Sequence, residues 1–386
     1  MQSNKYNLTA QLISKQINIY YLTGFKGVSD TEKEAYLLIV GEKYYLFTSA
    51  LYLEQANLQS KNTPSDGKKK TIRVIEISKT KPLSKQIKII LTKFNISALE
   101  FEPDSLTVSE FKKLKKDLAD IRWRPIKSPV ESQRQIKNSW EITQIQKAAK
   151  LTDQCFSYIV KQLKPKVTET QIAWKIEKFI REHGAQLAFS PIVAFGKNSS
   201  QPHYLSSVNC QLQTTDLVLL DFGAQVNGYC SDMTRVLFFG KPNIQQQKVY
   251  ETVLSAQNKA INHITQLSNH PTGQSNLHSE NSHILIYEKN KLSGTKLDRL
   301  AKDYINQQGF PPYQHSLGHG LGLDIHEAPR LTIKKDAKLK PGMVFTIEPA
   351  VYIPGQFGIR IEDTVLLKND GLEILTQSPK ELLIIQ

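Results

Sequence analysis

The chain has 386 residues, 40% of them hydrophobic, and a formal charge of +14 from 50 Lys and Arg against 36 Asp and Glu. That is enough apolar matter for two domains, yet no run approaches the ~18 apolar residues of a membrane span, and residues 1–7 lack the apolar segment of a signal peptide. Three cysteines (Cys155, Cys210, Cys230) without a CxxC argue against a disulfide framework, so a soluble protein of the reducing cytoplasm is expected.

Residues 1–127 carry 22 Lys and Arg against 13 Asp and Glu, while residues 128–386 carry 28 against 23. The densest basic runs are Lys68-Lys69-Lys70 and Lys112-Lys113-Leu114-Lys115-Lys116. No aromatic residue interleaves with either run to stack a base, so a solvated loop and helix face are expected, and a nucleic-acid partner is not.

The first 127 residues read as a small α/β unit. Ala35–Val40 and Lys43–Thr48 are β-rich runs around Gly41-Glu42, a hairpin signal. Further strands are expected at Thr71–Ser78 and Ser97–Phe101, and helices at Leu83–Phe94 and Val108–Leu118. Thr107 with Glu110 makes a capping box for the latter. Pro125 and Pro129 mark a linker, placed at 128–138.

A helix is expected from about Trp140 to Leu163, with Ser139 as N-cap and Glu141 in its first turn. A second begins near Thr168, boxed by Gln171, and stops at Gly184. Strands follow to about Gly240, helices return at Ile244–Ile264 and Leu297–Gln308, and strands close the chain. Residues 267–292 are rich in Ser, Asn, His and Gly without apolar period and read as a polar insertion loop. The spacing of its histidines, His270, His278 and His283, fits no ligand pattern.

Four carboxylates and a histidine stand out in the C-terminal part. Asp221 lies in Leu-Leu-Asp-Phe-Gly, Asp232 in Ser-Asp-Met-Thr-Arg, His319 in Gly-His-Gly-Leu-Gly, Glu348 in Thr-Ile-Glu-Pro and Glu362 in Ile-Arg-Ile-Glu-Asp. Ionised carboxylates are almost never buried unless paired or bound to metal, and these punctuate strand-like apolar runs. Asn227-Gly228 is a two-residue hairpin signal, and it sets Asp232 opposite Gly223 and Asp221 opposite Thr234. The two aspartates then share a face as diagonal neighbours, with Cα atoms ~7–8 Å apart. Glu348 and Glu362 lie symmetrically about Gly355 and repeat the arrangement. Four acids exceed the need of one cation, which favours two divalent metals bridged by carboxylates. His315 and His319 are four apart, but Gly318, Gly320 and Gly322 argue for a strand and tight loop over a helix.

In this order, over about residues 138–386, these stretches resemble the pita-bread metallopeptidases: methionine aminopeptidases, prolidases and aminopeptidase P. Tyr20-Tyr-Leu-Thr-Gly-Phe25 and the α/β pattern to about residue 127 look like the creatinase-type N-terminal domain, which prolidases and aminopeptidases P carry and methionine aminopeptidases do not. The resemblance implies an α/β (α+β) fold: a creatinase-type domain at 1–127, a linker at 128–138 and a pita-bread catalytic domain at 139–386. It implies that Asp232 and Glu362 bridge two metals, that Asp221 serves one ion, and that His319 and Glu348 serve the other. Manganese is the expected metal, with cobalt, zinc or iron also suited to the ligand set.

By the same resemblance, His203 in Asn198-Ser-Ser-Gln-Pro-His203 and His326 in His-Glu-Ala-Pro contact the substrate and the tetrahedral intermediate. Glu348 shuttles the proton, Arg330 reads a dipeptide carboxylate, and Arg360 braces the site or reads a carboxylate itself. The implied reaction is hydrolysis of Xaa-Pro bonds in dipeptides or short peptides by a metal-bridging hydroxide. Action on longer N-terminal Xaa-Pro peptides, as in aminopeptidase P, is the alternative. A non-catalytic binding protein on this scaffold would be expected to lack metal ligands, and none is missing here. A homodimer is implied as well.

Overall fold

The computed structural model describes residues 9–27, 32–60, 71–127, 129–269 and 292–385. The lysine run 68–70, the N-terminal residues 1–7 and the histidines of the insertion lie outside the described residues. The chain divides into two compact units, Met1–Gln133 and Arg134–Gln386.

In the first unit, β1 (Ala10–Ile13), α1 (Gln16–Thr23), β2 (Ala35–Val40), β3 (Lys43–Thr48), α2 (Leu53–Gln59), β4 (Ile72–Glu76), α3 (Leu83–Lys93), β5 (Ala98–Phe101), α4 (Val108–Asp117) and β6 (Arg122–Pro125) follow in order. The strands form one six-stranded sheet ordered β4-β3-β2-β1-β5-β6. The β2–β3 hairpin closes at Val40↔Lys43, with Gly41 at φ 58°. β1 and α1 have no counterpart in the sequence reading, because four apolar-centred residues and one short helix carry too little period to register. β1 nevertheless sits centrally, antiparallel to β2 and parallel to β5. Leu12, Leu38, Phe47, Ile87, Leu91 and Leu99 fill the core beneath. The capping box of α4 is present, with Glu110 N–H donating to Thr107 Oγ1 at 3.2 Å. Lys112, Lys113, Lys115 and Lys116 lie on its exposed face.

Part of the expected linker is helical: Pro129–Arg134 form α5. The second unit continues with α6 (Ser139–Val160) and α7 (Glu169–Glu182). The N-cap of α6 is Asn138 and not Ser139; its side chain accepts from Glu141 N–H at 3.0 Å while Glu141 accepts from Asn138 N–H. Glu141 reaches back three residues, and that selects the cap. Strands β7 (Gln186–Leu187), β8 (Ile192–Phe195), β9 (Leu217–Phe222), β10 (Ala224–Val226), β11 (Tyr229–Cys230) and β12 (Met233–Phe239) come next. Helices α8 (Ile244–Asn269) and α9 (Gly294–Gln307) precede β13 (Gly318–Gly320), β14 (Glu327–Leu331), β15 (Val344–Ile347), β16 (Ala350–Ile353), β17 (Phe357–Arg360), β18 (Asp363–Lys368), β19 (Gly371–Ile374) and β20 (Leu383–Ile385).

Two main sheets carry the unit, ordered β20-β12-β9-β8 and β14-β13-β15-β18-β19. Both hairpins hold the register that their turns impose. Asn227 at φ 49° and Gly228 at φ 84° make the turn, and Val226↔Tyr229 and Asp221↔Thr234 share one register. Ile353↔Phe357 and Ile347↔Asp363 likewise share the register centred on Gly355. In each case the ribbon changes sheets partway along. The tips, β10–β11 and β16–β17, leave the sheets formed by β9–β12 and β15–β18. Asp232, Glu348 and Glu362 lie at these breaks, where backbone pairing is interrupted and a side chain is freed to turn inward. Helices α8 and α9 close the back of the second sheet through Val253, Ala260, Leu297 and Ile305, all fully buried. At about 1.5–3 kcal/mol per large aliphatic side chain, this packing stabilises the frame on which the acids stand.

Candidate active site

Asp221 projects from β9, Asp232 from the residue before β12, His319 from the middle of β13, Glu348 from the residue after β15 and Glu362 from the residue before β18. All five line one cavity of about 880 Å³, together with His203, His326, Arg330 and Arg360. Every residue singled out in the sequence thus faces a common space. Side-chain atoms of Asp232, His319 and Glu362 that could ligate a metal lie within 4.8 Å of one another. His319 Nε2 is 3.6 Å from Asp232 Oδ2 and 3.5 Å from Glu348 Oε1.

The backbone approaches closely around His319. A Cβ on Gly318 would overlap the carbonyl of Thr346, so β13 can lie against β15 only with glycine there. Thr346 Oγ1 accepts from His319 N–H at 3.1 Å and donates to Glu348 Oε1 at 3.2 Å. The ring nitrogen Nδ1 of His319 donates to Gly320 O at 3.1 Å, which directs the Nε2 lone pair at the acids.

Four carboxylates in this space repel one another. Burial, then the charges of Glu362, Asp221 and Glu348, push Asp232 well above the usual carboxylate range. Burial and Glu362 do the same to Glu348. Glu362 is pushed up to about 7 by burial and by Asp221, against the pull of Arg360 and a hydrogen bond from Thr234 at 2.7 Å. Asp221 is also raised, because burial outweighs its ion pair with Arg360. Burial, aided by His326, holds His319 down at about 3, so its imidazole is neutral.

This donor set fits divalent cations. It comprises four acids whose shared preference is for a compensating charge, and a neutral imidazole with its free nitrogen turned towards them. Asp221 Oδ1 and Asp232 Oδ1 are buried without a hydrogen-bond partner among the described residues, which leaves each free to act as a metal ligand.

Arg360 is fully engaged in bracing. It is buried, pairs with Asp221, donates to Thr234 Oγ1 at 3.0 Å and Tyr352 OH at 2.6 Å, and reaches Pro202 O at 3.4 Å. Arg330 is the contrast: it stands opposite His319 in the β13–β14 pair, is exposed, and its side chain makes no hydrogen bond or ion pair among the described residues. His203 and His326 are exposed on the cavity wall, and the His326 ring lies edge-on to His319 at 4.4 Å between centroids.

Thr234, Thr346, Tyr352 and His315 were not singled out for the site by the sequence. His315 lines the cavity, lies 3.9 Å from Glu348 and meets Tyr352 OH at 3.4 Å. The signals for the two threonines existed: Thr234 is opposite Asp221 in the hairpin register, and Thr346 is two residues before Glu348 on the same strand face.

Residues 143–275 and 280–369 match Metallopeptidase family M24, and residues 2–136 match the Creatinase/Prolidase N-terminal domain. An uncharacterized peptidase of Bacillus subtilis is 34% identical over 98% of this chain and 96% of its own length. Among solved structures, an Xaa-Pro dipeptidase from Bacillus anthracis superposes with a TM-score of 0.82 at 32% identity, covering 98% of this chain and 95% of that one. An X-Pro aminopeptidase from Thermotoga maritima superposes with a TM-score of 0.81 at 29% identity, covering 98% of each. The fold is a creatinase-type α/β domain followed by a pita-bread catalytic domain, and the chain belongs to this metallopeptidase family.

Proposed function

We propose that the chain is an exopeptidase that uses two divalent ions to hydrolyse Xaa-Pro bonds in dipeptides and short peptides. Membership of a metallopeptidase family implies divalent ions, and the similar structure from Bacillus anthracis is an Xaa-Pro dipeptidase. The observation that carries the reading is the convergence of three buried acids (Asp221, Asp232 and Glu362), the half-buried Glu348 and a neutral His319 on one cavity, with two carboxylate oxygens unpartnered among the described residues. In this reading Asp221, Asp232, His319, Glu348 and Glu362 would hold the ions, with Asp232 and Glu362 contributing to both. Manganese is the proposed metal, and cobalt, zinc or iron would suit the same ligands.

When bound, two such ions lower the pKa of a water and polarise the scissile carbonyl. The residues supply the rest. Glu348 takes the proton from the attacking water and returns it to the leaving proline nitrogen, which as a tertiary amide has no hydrogen of its own. His203 and His326 donate to the oxygen that gains charge. Arg360 favours the ionised form of Asp221 against the pull of burial and holds it in place. Arg330, uncommitted at the cavity wall, takes the carboxylate of a dipeptide. The exposed apolar side chains Trp174 and Leu205 line the outer cavity, where a substrate side chain can lie. Activity on longer N-terminal Xaa-Pro peptides is the second reading, favoured by the likeness to the Thermotoga maritima aminopeptidase.

We place the enzyme in the cytoplasm as a homodimer. Three free cysteines accord with a reducing compartment, and no described helix is long and apolar enough to cross a membrane. Elemental analysis after metal loading should find about two ions per chain, and Glu362→Ala should retain them weakly. A Glu362→Ala protein that holds both ions as tightly as the parent would sink the bridging role.

A further inference from the structure

Glu169 is fully buried and belongs to no ion pair among the described residues. It sits in the first turn of α7, and four donors converge on its carboxylate. Phe195 N–H at 2.8 Å and Asn198 Nδ2 at 2.9 Å meet Oε1; Tyr204 OH and Ser207 N–H, both at 2.9 Å, meet Oε2. All four belong to the segment 195–207, which carries His203. The start of α7 answers in kind: Glu169 N–H donates to Cys210 O at 3.2 Å and Thr170 N–H to Ser207 O at 3.3 Å. Helix-terminal N–H groups that would otherwise lack partners are thereby satisfied by the same loop.

The other side of the loop is tied to β17. Ser199 Oγ donates to Gly196 O at 2.7 Å and accepts from Gly358 N–H at 2.8 Å. Arg360 reaches the carbonyl of Pro202, the residue before His203. His203 itself is exposed on the cavity wall, so its position is set by its neighbours, and Tyr204 on its other flank is held by Glu169.

We infer that Glu169 is a positioning residue for catalysis: its carboxylate fixes the loop so that His203 meets the reacting carbonyl. The inference rests on the proposed oxyanion role of His203. A carboxylate is required because each oxygen faces a backbone N–H, Phe195 on one side and Ser207 on the other. A glutamine amide, whichever way it is flipped, must turn its NH2 group towards one of them. One buried N–H then loses its acceptor and the loop shifts to rehydrate it. Misplacement by about 1 Å can cost on the order of 10²-fold in rate.

The test is a double-mutant cycle between Glu169→Gln and His203→Ala in the metal-loaded enzyme, with hydrogen exchange of residues 195–207 measured alongside. Glu169→Gln should lower kcat by about 10- to 100-fold with a smaller change in KM, leave metal content unchanged, and speed exchange at Phe195 and Ser207. In the His203→Ala background it should cost kcat little more. Equal losses in both backgrounds would overturn the inference alone, since Glu169 would then act elsewhere. So would full activity in Glu169→Gln despite faster exchange. An unimpaired His203→Ala would overturn the histidine's role and the inference with it. Tyr204→Phe removes one donor and keeps the carboxylate; it completes the same cycle, with a loss of a few-fold, if Glu169→Gln does not fold.

Discussion

Removing the charge of Glu362 should stabilise the metal-free protein, and the gain should grow with pH. Glu362 is buried, and its carboxyl rises from 4.5 to about 7 through burial first and the charge of Asp221 second. A carboxyl raised in the folded state binds its proton more tightly there than when unfolded. Its contribution is present in full below about pH 4.5 and is lost as pH climbs to about 7. At about 1.36 kcal/mol per pKa unit, the loss is on the order of 3 kcal/mol. For a unit of some 150–250 residues this is roughly 10 °C in Tm. His315 and His319, held down at about 4 and 3, lean the other way between those values and about 6.5. Comparing parent with Glu362→Gln cancels them. Thermal denaturation of both chelator-treated proteins should give near-equal Tm at pH 4.5 and a higher Tm for the variant at pH 8. Saturating divalent metal should reverse the order at pH 8, because a cation replaces the proton as the compensating charge. A variant less stable than the parent at pH 8 without metal would refute the reasoning.

Further outcomes follow from the same geometry. His203→Ala should lower kcat by about 10²–10³-fold while metal content is unchanged; loss of metal would move His203 from catalysis to ligation. Arg330→Ala should depress kcat/KM for an Xaa-Pro dipeptide by about 10- to 100-fold and for a tripeptide much less, because only the dipeptide offers a carboxylate there. Equal losses would remove the case for a dipeptidase. Gly318→Ala should weaken metal binding and lower Tm together, since its Cβ would force β13 off the Thr346 carbonyl and carry His319 with it. A variant with parental metal affinity and Tm would show that β13 tolerates the side chain.

The hairpins explain why so much of this site could be read from sequence. A two-residue turn at Asn227-Gly228 imposes one register, and that register alone pairs Asp221 with Thr234. The symmetric placing of Glu348 and Glu362 about Gly355 works in the same way. Periodicity and capping boxes likewise located α4 and α7. What escaped was of two kinds. Short elements such as β1 and α1 carry little local signal and owe their place to sheet partners far along the chain, Leu99–Phe101 for β1. Polar groups that act through distant partners were the other kind. Tyr352 accepts from Arg360 and meets His315, 37 residues before it, and Glu169 gathers donors from a loop that begins 26 residues on. No spacing in the sequence encodes such convergence; packing creates it.

The central claim is hydrolysis of the bond before proline, driven by divalent metal. Manganese-loaded and chelator-treated protein, each offered Gly-Pro, an Xaa-Pro-Yaa tripeptide and Met-Ala-Ser side by side, test it most directly. The account predicts cleavage of Gly-Pro by the loaded enzyme, none after chelation, and none of Met-Ala-Ser in either state. Loaded protein that leaves both proline peptides intact, or that cleaves Met-Ala-Ser in their place, would contradict it.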